Sequence, residues 1–173
     1  MLVESRCRIE RPVAEVRAQF ADVDHHATVE VHRGVTFIKS SADAGFTAGV
    51  TRYRQISRSG PVRLVQDIEQ HAMEDGSLVN RVVEGSLAGS TLAFRFAGDG
   101  ASTEVTATAT VDLRGARRLL APLLARSLRR GLARALAEDK VDLESGRYAH
   151  WAPHRDDGRC GERLDDLRSE APS

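Results

Sequence analysis

Alternating apolar and polar residues dominate the sequence from Val35 to Leu113, and this pattern most restricts the folds open to the chain. The alternating segments are separated by short turn sequences such as Glu74-Asp75-Gly76 and Gly98-Asp99-Gly100. Alternation predicts strands with one apolar face, and short turns join antiparallel neighbours. The predicted strands are Val35–Ser40, Phe46–Ser57, Val62–Gln70, Leu78–Gly85, Leu92–Ala97 and Thr103–Leu113. A sheet with one apolar face has to be covered on that face.

The sequence after these strands predicts the cover. Leucines recur every four residues from Leu120 to Leu136, and Gly131 and Ala135 lie on the same side of the predicted helix. Arginines such as Arg126 and Arg134 lie on the opposite side, which we interpret as a solvated face. This spacing predicts a long amphipathic helix from about residue 117 to residue 146.

The first and last segments complete the predicted domain. Leu2–Ile9 alternates like a half-buried strand, and Pro12 can occupy the first turn of a short helix that follows it. Residues 151–173 contain many charged residues and few apolar ones, which predicts a polar tail. We therefore predict one domain over residues 1–150 and a tail over residues 151–173.

The charge balance and the cysteine content restrict the partners. The 25 basic residues match the 25 acidic residues, so we expect no nucleic-acid partner bound through overall charge. No apolar run is long enough for a spanning helix, so we expect no stable insertion into a membrane. Two cysteines and no apolar leader segment predict a cytoplasmic protein, which we expect to be a monomer or a homodimer.

The segment from Asp22 to His32 carries the densest set of chemically active side chains. It contains three of the six histidines, His25, His26 and His32, together with acidic residues. Histidine transfers protons near neutral pH, and imidazole with carboxylate also binds zinc or iron. Three interpretations remain open: acid–base catalysis, a metal site of His26 and His32 with Asp22 or Glu30, and a loop that merely lines a cavity or caps helices.

The order of elements resembles the helix-grip fold of the START-like, Bet v 1-like superfamily, which includes polyketide cyclases. The resemblance covers residues 1–150 and rests on the opening strand, on Arg11-Pro12-Val13-Ala14-Glu15-Val16 and on the terminal amphipathic helix. It implies an α+β fold in which a curved antiparallel sheet of about seven strands wraps around the long C-terminal helix, with one or two short helices after the first strand. It also implies a cavity for a small hydrophobic or aromatic molecule. We predict no cofactor, and we favour the interpretations without a metal ion.

Cyclisation or dehydration of a polyketide-like substrate requires a group that removes a proton beside a carbonyl and a donor that stabilises the enolate oxygen. We predict that His25, His26 or His32 transfers the proton and that Tyr53 or Arg54 orients the carbonyl. The alternative functions are binding or transfer of a lipid-like ligand without chemistry, and a metal-dependent reaction at the histidine loop.

Several residues in phase with the predicted core are candidates for the cavity wall. Gln66 lies between Leu64 and Ile68, and Asn80 and Glu84 flank Val82. Polar groups on a buried face need partners or a wet cavity, although a β-bulge would turn Glu84 outward instead. The predicted cavity-lining residues are Phe37, Gln66, Asn80, Glu84, Phe94, Leu124, Leu128 and Gly131.

Overall fold

The computed structural model describes residues 1–39, 50–59, 62–113 and 121–151. The described residues form seven strands and four helices. In chain order they are β1 (Leu2–Ile9), α1 (Val13–Ala21), α2 (Val23–Val29), β2 (Val35–Lys39), β3 (Val50–Ser59), β4 (Val62–Ala72), β5 (Leu78–Gly85), β6 (Thr91–Gly98), β7 (Thr103–Thr110), α3 (Ala121–Glu144) and α4 (Arg147–Trp151). The predicted polar tail from residue 152 onward, with Cys160, lies outside the described residues.

The seven strands form a single antiparallel sheet in the order β1-β7-β6-β5-β4-β3-β2. Consecutive strands from β2 to β7 are neighbours, as their short connecting turns predict. The first strand pairs with the last, so that Val3 faces Ala109 and Cys7 faces Val105 across the pair. The predicted α+β architecture, an antiparallel sheet with a long C-terminal helix, is confirmed.

The main core lies between β1, β6 and β7 and the C-terminal half of α3. On β7 the alternation predicted from the sequence is present, because Val105 and Ala107 are buried while Glu104, next to Val105, is exposed. The core residues are Ile9, Val16, Phe20, Leu78, Val105, Ala107, Leu136, Leu143 and Tyr148. A second, smaller cluster of Val23, Tyr53 and Ile68 lies towards β3 and β4.

Hydrogen bonds to the backbone attach the end of α3 to the start of the chain. Arg11 donates from Nε to the carbonyl of Leu143 at 3.1 Å and from Nη2 to the carbonyl of Glu144 at 3.1 Å. Lys140 donates from Nζ to the carbonyl of Arg8 at 2.7 Å. The Arg11 contacts satisfy helix carbonyls that lack a partner within the helix, and together the three bonds fix α3 against β1.

A β-bulge interrupts the pairing of β4 with β5. Ile68 pairs with Val82, but the preceding Asp67 pairs with Glu84, which leaves Val83 as the extra residue. The bulge is followed by Gly85, whose φ is 112° and whose Cβ, if present, would lie 2.5 Å from the carbonyl oxygen of Val65. Only glycine fits this backbone, so the shift in register is built into the sequence.

The long helix covers the sheet unevenly along its length. α3 spans Ala121–Glu144 within the predicted 117–146, and residues 114–120 are outside the described part. Leu136 is 2% exposed, whereas Leu123 near the start of the helix is 69% exposed. The C-terminal half therefore carries most of the helix–sheet packing. Among the described helices, none is both long and apolar enough to cross a membrane.

Replacing Leu136 with alanine is expected to lower the free energy of unfolding by about 2–5 kcal/mol, because a cavity forms in the main core. The matched Leu123→Ala variant, on the exposed part of the same helix, should change it by less than about 0.5 kcal/mol. Urea denaturation followed by circular dichroism measures both values. Equal losses in the two variants would contradict the uneven packing of α3.

Candidate functional site

The site begins at the junction of α1 and α2. Asp22 separates the two helices, and its side-chain oxygen Oδ1 accepts a hydrogen bond from the backbone N–H of His25 at 3.0 Å. This is an N-terminal cap, which fixes the start of α2. The helix ends at Glu30, whose φ of 51° lies in the left-handed region. Two consecutive histidines, His25 and His26, are thereby both buried against α3.

Two aspartates on α3 meet these histidines. Asp139 is 3% exposed and Asp142 is 1% exposed, although both are charged residues on a helix rich in arginine. Neither was among the site residues predicted from the sequence. A signal was present, because Asp139 follows Leu132 by seven residues and Asp142 follows Ala135 by seven, which continues the buried face of the helix.

The inner histidine forms a fully buried pair with Asp142. His25 Nε2 lies 2.7 Å from Asp142 Oδ2, and Gln19 Nε2 donates to the same oxygen at 3.3 Å. The rings of Tyr148 and Trp151 cover His25, with centroid distances of 5.0 and 5.5 Å. Burial acts to raise the pKa of Asp142, but the hydrogen bond and the charge of His25 outweigh it, so the pKa is lowered.

The outer cluster, formed by His26, His32 and Asp139, brings two imidazoles to a single carboxylate. Nε2 of His26 lies 3.3 Å from Asp139 Oδ1, and Nε2 of His32 lies 3.4 Å from the same atom. The two imidazole rings stack with centroids 5.2 Å apart. The Nδ1 atom of His26 lies 2.8 Å from the carbonyl oxygen of Asp22, and Nδ1 of His32 lies 3.3 Å from Glu138 Oε2.

Opposing effects act on the ionisation of His26. Burial acts to lower its pKa, whereas the hydrogen bond to Asp139 and the charge of that carboxylate act to raise it. The interactions with Asp139 prevail over burial, and the pKa of His26 is raised overall. The contact with Asp139 therefore favours the protonated form of the His26 imidazole.

The outer cluster lies at one end of a cavity of about 130 Å³ between the sheet and α3. Aromatic and aliphatic side chains form much of its wall, and amides and a phenol add further polar groups. The lining residues are Phe20, Val23, His26, His32, Val35, Phe37, Tyr53, Gln55, Gln70, Asn80, Phe94, Ala135 and Asp139. The cavity wall thus combines apolar side chains with polar groups, and the side formed by the outer cluster is called its polar end.

Several residues named from the sequence do line this cavity. They are His26, His32, Phe37, Tyr53, Asn80 and Phe94. Burial raises the pKa of Tyr53, so its phenol stays protonated and can donate a hydrogen bond. Its ring contacts Phe37, with the centroids 5.7 Å apart. The sequence pattern of β3 did not indicate which of its side chains face inward. In the structure Tyr53 faces the cavity.

Other predicted site residues are at least partly buried but lie away from the cavity wall. His25 is buried beneath the outer cluster, where its imidazole contacts the carboxylate of Asp142. Gln66 lies on the inner face of β4, where its Nε2 has no hydrogen-bond partner among the described residues, and it does not reach the cavity. Leu124 and Leu128 are half-buried on the first half of α3, where they do not contribute to this wall.

Three predicted positions are corrected, because their side chains face outward. Arg54 follows Tyr53 on β3 and so points to the opposite face, where it forms a two-pronged pair with Asp67 at 2.7 and 2.8 Å. Glu84 shares that outer face with Asp67 because of the bulge at Val83. Gly131 is exposed on α3, where an added Cβ would meet nothing within 4 Å.

The metal ligand set that the sequence analysis kept open as an alternative also needs correction. The carboxylate of Asp22 caps α2, and Glu30 is exposed at the end of that helix. Neither approaches the two imidazoles in the way expected from the sequence. The carboxylate that does so is Asp139, which is more than a hundred residues away in the chain.

Comparison with known proteins gives matches in structure only. No family model and no curated protein sequence matches the chain. The protein TTHA0849 of Thermus thermophilus superposes with a TM-score of 0.73 at 16% identity, over 84% of this chain and 99% of that one. The ZhuI aromatase/cyclase of Streptomyces sp. R1128 superposes with a TM-score of 0.63 at 15% identity, over 83% and 95% of the chains. A START superfamily protein of Mycobacterium smegmatis gives a TM-score of 0.61 at 14% identity, over 82% and 97%.

The chain has the START-like, Bet v 1-like helix-grip fold. The resemblance seen in the order of elements is thereby confirmed at the level of the fold. In this helix-grip domain the polar end of the cavity is built by α2, by the short loop after it and by the C-terminal part of α3.

Removing the Asp142 carboxylate tests the inner pair. In Asp142→Ala, His25 and Gln19 lose a buried partner, so the free energy of unfolding is expected to fall by about 3–5 kcal/mol. Asp67→Ala is the matched control, because it removes an aspartate whose ion pair with Arg54 is exposed, and stability should barely change. Urea denaturation measures both. If Asp142→Ala were as stable as the control, the inner pair would not hold α2 against α3.

Proposed function

We propose that the chain binds one small, mainly apolar molecule, aromatic or aliphatic, whose polar end faces the outer cluster. The observation that carries this proposal is the polarity of the cavity, in which apolar walls lead to the converging imidazoles and carboxylate of His26, His32 and Asp139. Small-molecule sites commonly combine a mostly apolar concave wall with a few precisely placed polar groups.

The size and the walls of the cavity indicate the size of the ligand. A closed apolar cavity of about 150 Å³ accommodates benzene, so about 130 Å³ in this helix-grip domain corresponds to roughly one ring. Phe20 and Phe94 pack edge-to-face with centroids 5.2 Å apart, and Phe37 lies across the cavity next to Tyr53. The ring of an aromatic ligand can pack against these side chains edge-to-face or in an offset stack, which is favourable.

Polar groups in the cavity wall can fix the orientation of an oxygen-bearing ligand. The phenol of Tyr53 is a donor, Asn80 and Gln70 carry amides, and the outer cluster offers imidazole nitrogen and carboxylate oxygen. A carbonyl or hydroxyl group meets partners there. A purely apolar ligand leaves Asn80 Oδ1, which has no hydrogen-bond partner among the described residues, without one. We therefore expect the protein to prefer acetophenone over ethylbenzene, which has nearly the same size without the oxygen.

Titration of either compound into ¹⁵N-labelled protein, followed by amide chemical shifts, tests binding. Acetophenone should bind at the cavity-lining residues at least tenfold more tightly than ethylbenzene. Ala135→Leu fills the cavity from α3 and should weaken acetophenone binding at least tenfold, because the ligand and the new side chain compete for space.

The matched control is Ala137→Leu, which adds the same atoms to an exposed position on the same helix and should bind acetophenone unchanged. Shift changes spread over the surface, or equal binding by both leucine variants, would contradict a ligand site in this cavity.

A catalytic role is the second candidate, and the convergence of imidazole, carboxylate and protonated phenol favours it. Removal of a proton beside a carbonyl needs a base, and the resulting enolate oxygen needs a donor. In this proposal His26 or His32 would act as the base, and Tyr53 would act as the donor. The structural similarity to an aromatase/cyclase supports a cyclisation or dehydration of a polyketide-like substrate as the reaction class.

Hydrogen–deuterium exchange at the methyl group of acetophenone in D₂O, followed by NMR, tests the catalytic role without the natural substrate. The wild-type chain should accelerate exchange over buffer, and His26→Gln and His32→Gln should lower the rate by about 100-fold or more. Arg54→Gln changes a residue on the outer face and should leave the rate unchanged. Binding without accelerated exchange would favour a ligand-binding or transfer protein that performs no chemistry.

A further inference from the structure

We propose that His26, His32 and Asp139 bind one divalent transition-metal ion of the zinc class, with a further coordination position open to the cavity. This inference goes beyond the proposed binding function, because it follows from the outer cluster alone and does not require the organic ligand. It is an alternative to the acid–base role of these histidines, because an imidazole nitrogen that binds a metal ion cannot also accept a proton. Two imidazole nitrogens and one carboxylate oxygen form a donor set that zinc and related ions prefer in proteins.

The separations between the donor atoms are compatible with a coordination shell. Each Nε2 atom lies 3.3 or 3.4 Å from Asp139 Oδ1. Ligands bound about 2.0–2.1 Å from a tetrahedral zinc ion lie about 3.3 Å from one another. All three ligand atoms are within 4.8 Å of each other, and His32 lies in the short loop before β2.

The second nitrogen of each imidazole already has an acceptor. A carbonyl oxygen can only accept, so the contact of 2.8 Å with Asp22 places a proton of His26 on Nδ1. The nitrogen that faces Asp139, Nε2, is therefore the one through which neutral His26 would bind an ion. His32 repeats this arrangement through Nδ1 and the carboxylate of Glu138 at 3.3 Å. Histidines that bind metals commonly donate their other N–H to a carbonyl or carboxylate in this way, which fixes the tautomer and the ring orientation.

The carboxylates around the outer cluster also favour the binding of a cation. Within the described part of the chain, the side chains that bond to Asp139 are Gln19, His26 and His32, none of which carries a permanent positive charge. Glu138 adds a second carboxylate at the same place. A divalent ion between the three groups would take the place of the proton that joins an imidazole to Asp139 and would compensate both carboxylates.

The position of the cluster defines the kind of site. All three proposed ligands line the cavity, so an ion held by them has one side towards the space for a small molecule. Three protein ligands with an open position are typical of catalytic zinc, whereas structural zinc has four protein ligands. An ion bound there would act as a Lewis acid towards an oxygen atom at the polar end of the cavity.

Titration with Co²⁺ and Zn²⁺ tests the proposal. The full chain of 173 residues is purified without a polyhistidine tag and freed of metal with a chelator. We expect one Co²⁺ per chain with the intense visible absorption of tetrahedral cobalt, and displacement of the cobalt by one equivalent of Zn²⁺. Failure of the folded chain to bind either ion, or only the weak absorption of octahedral cobalt, would overturn the proposal.

Variants locate the ion. His26→Gln, His32→Gln and Asp139→Asn should each weaken Co²⁺ binding at least tenfold, and Glu138→Gln should weaken it by about 10–100-fold because Glu138 orients His32. The matched control is His71→Gln, since His71 lies 3.5 Å from Glu69 in a histidine–carboxylate pair on another part of the sheet, and the affinity of this variant should be unchanged. An unchanged affinity in the three ligand variants would place the ion elsewhere and refute the proposal.

Circular dichroism of the metal-free variants separates a lost ligand from a lost fold. If the buried replacements at His26 or Asp139 do not fold, His32→Gln decides the outcome, because that side chain is 11% exposed on a loop. Acetophenone binding is measured on the metal-free wild type, so the two proposals fail separately. Metal binding without ketone binding refutes the proposed function, and the reverse result refutes the metal site.

Discussion

The burial of two carboxylates between α3 and α2 is the constraint on which the site depends. A charged group that leaves water costs several kcal/mol unless partners compensate for it, and Asp139 and Asp142 both lie on the covered face of α3. The compensation comes from consecutive histidines on α2, whose start is fixed by the Asp22 cap. The position of a helix of only seven residues is thereby tied to that of the long helix.

The two pairs have different environments although their residues are near neighbours in the sequence. His25 and Asp142 are sealed beneath Tyr148 and Trp151, so their pair contributes to the attachment of the helices. His26 and Asp139 lie one step further out, at the wall of the cavity, where a ligand can reach them. Gln19 donates to both aspartates at 3.3 Å and links the sealed pair to the accessible one.

Periodicity predicted the fold well and the site only in part. Alternation on β7 and leucine spacing on α3 are local signals, and both elements form within the ranges that these signals predict. The predicted inward position of Glu84 was wrong, because a bulge of one residue reverses the faces of a strand without changing its composition.

The role of Asp139 was missed, because its partners lie on α2 and in the loop that follows. Helix periodicity alone does not indicate which side chain meets a buried carboxylate. The histidines themselves were recognisable from their density, but the group that completes the cluster is brought to them only by tertiary structure.

The cavity also divides the interior of the domain. The main core fixes β1, β6 and β7 to the second half of α3, while Val23, Tyr53 and Ile68 form a separate cluster towards β3 and β4. Phe20 and Phe94 belong to the larger cluster and Tyr53 and Phe37 to the smaller, and all four rings border the cavity. A ligand bound in the cavity would therefore contact both hydrophobic clusters. Its binding would stabilise the folded chain by mass action. The concentration of the ligand would then determine how strongly the packing of β3 and β4 is coupled to the packing of β1, β6 and β7.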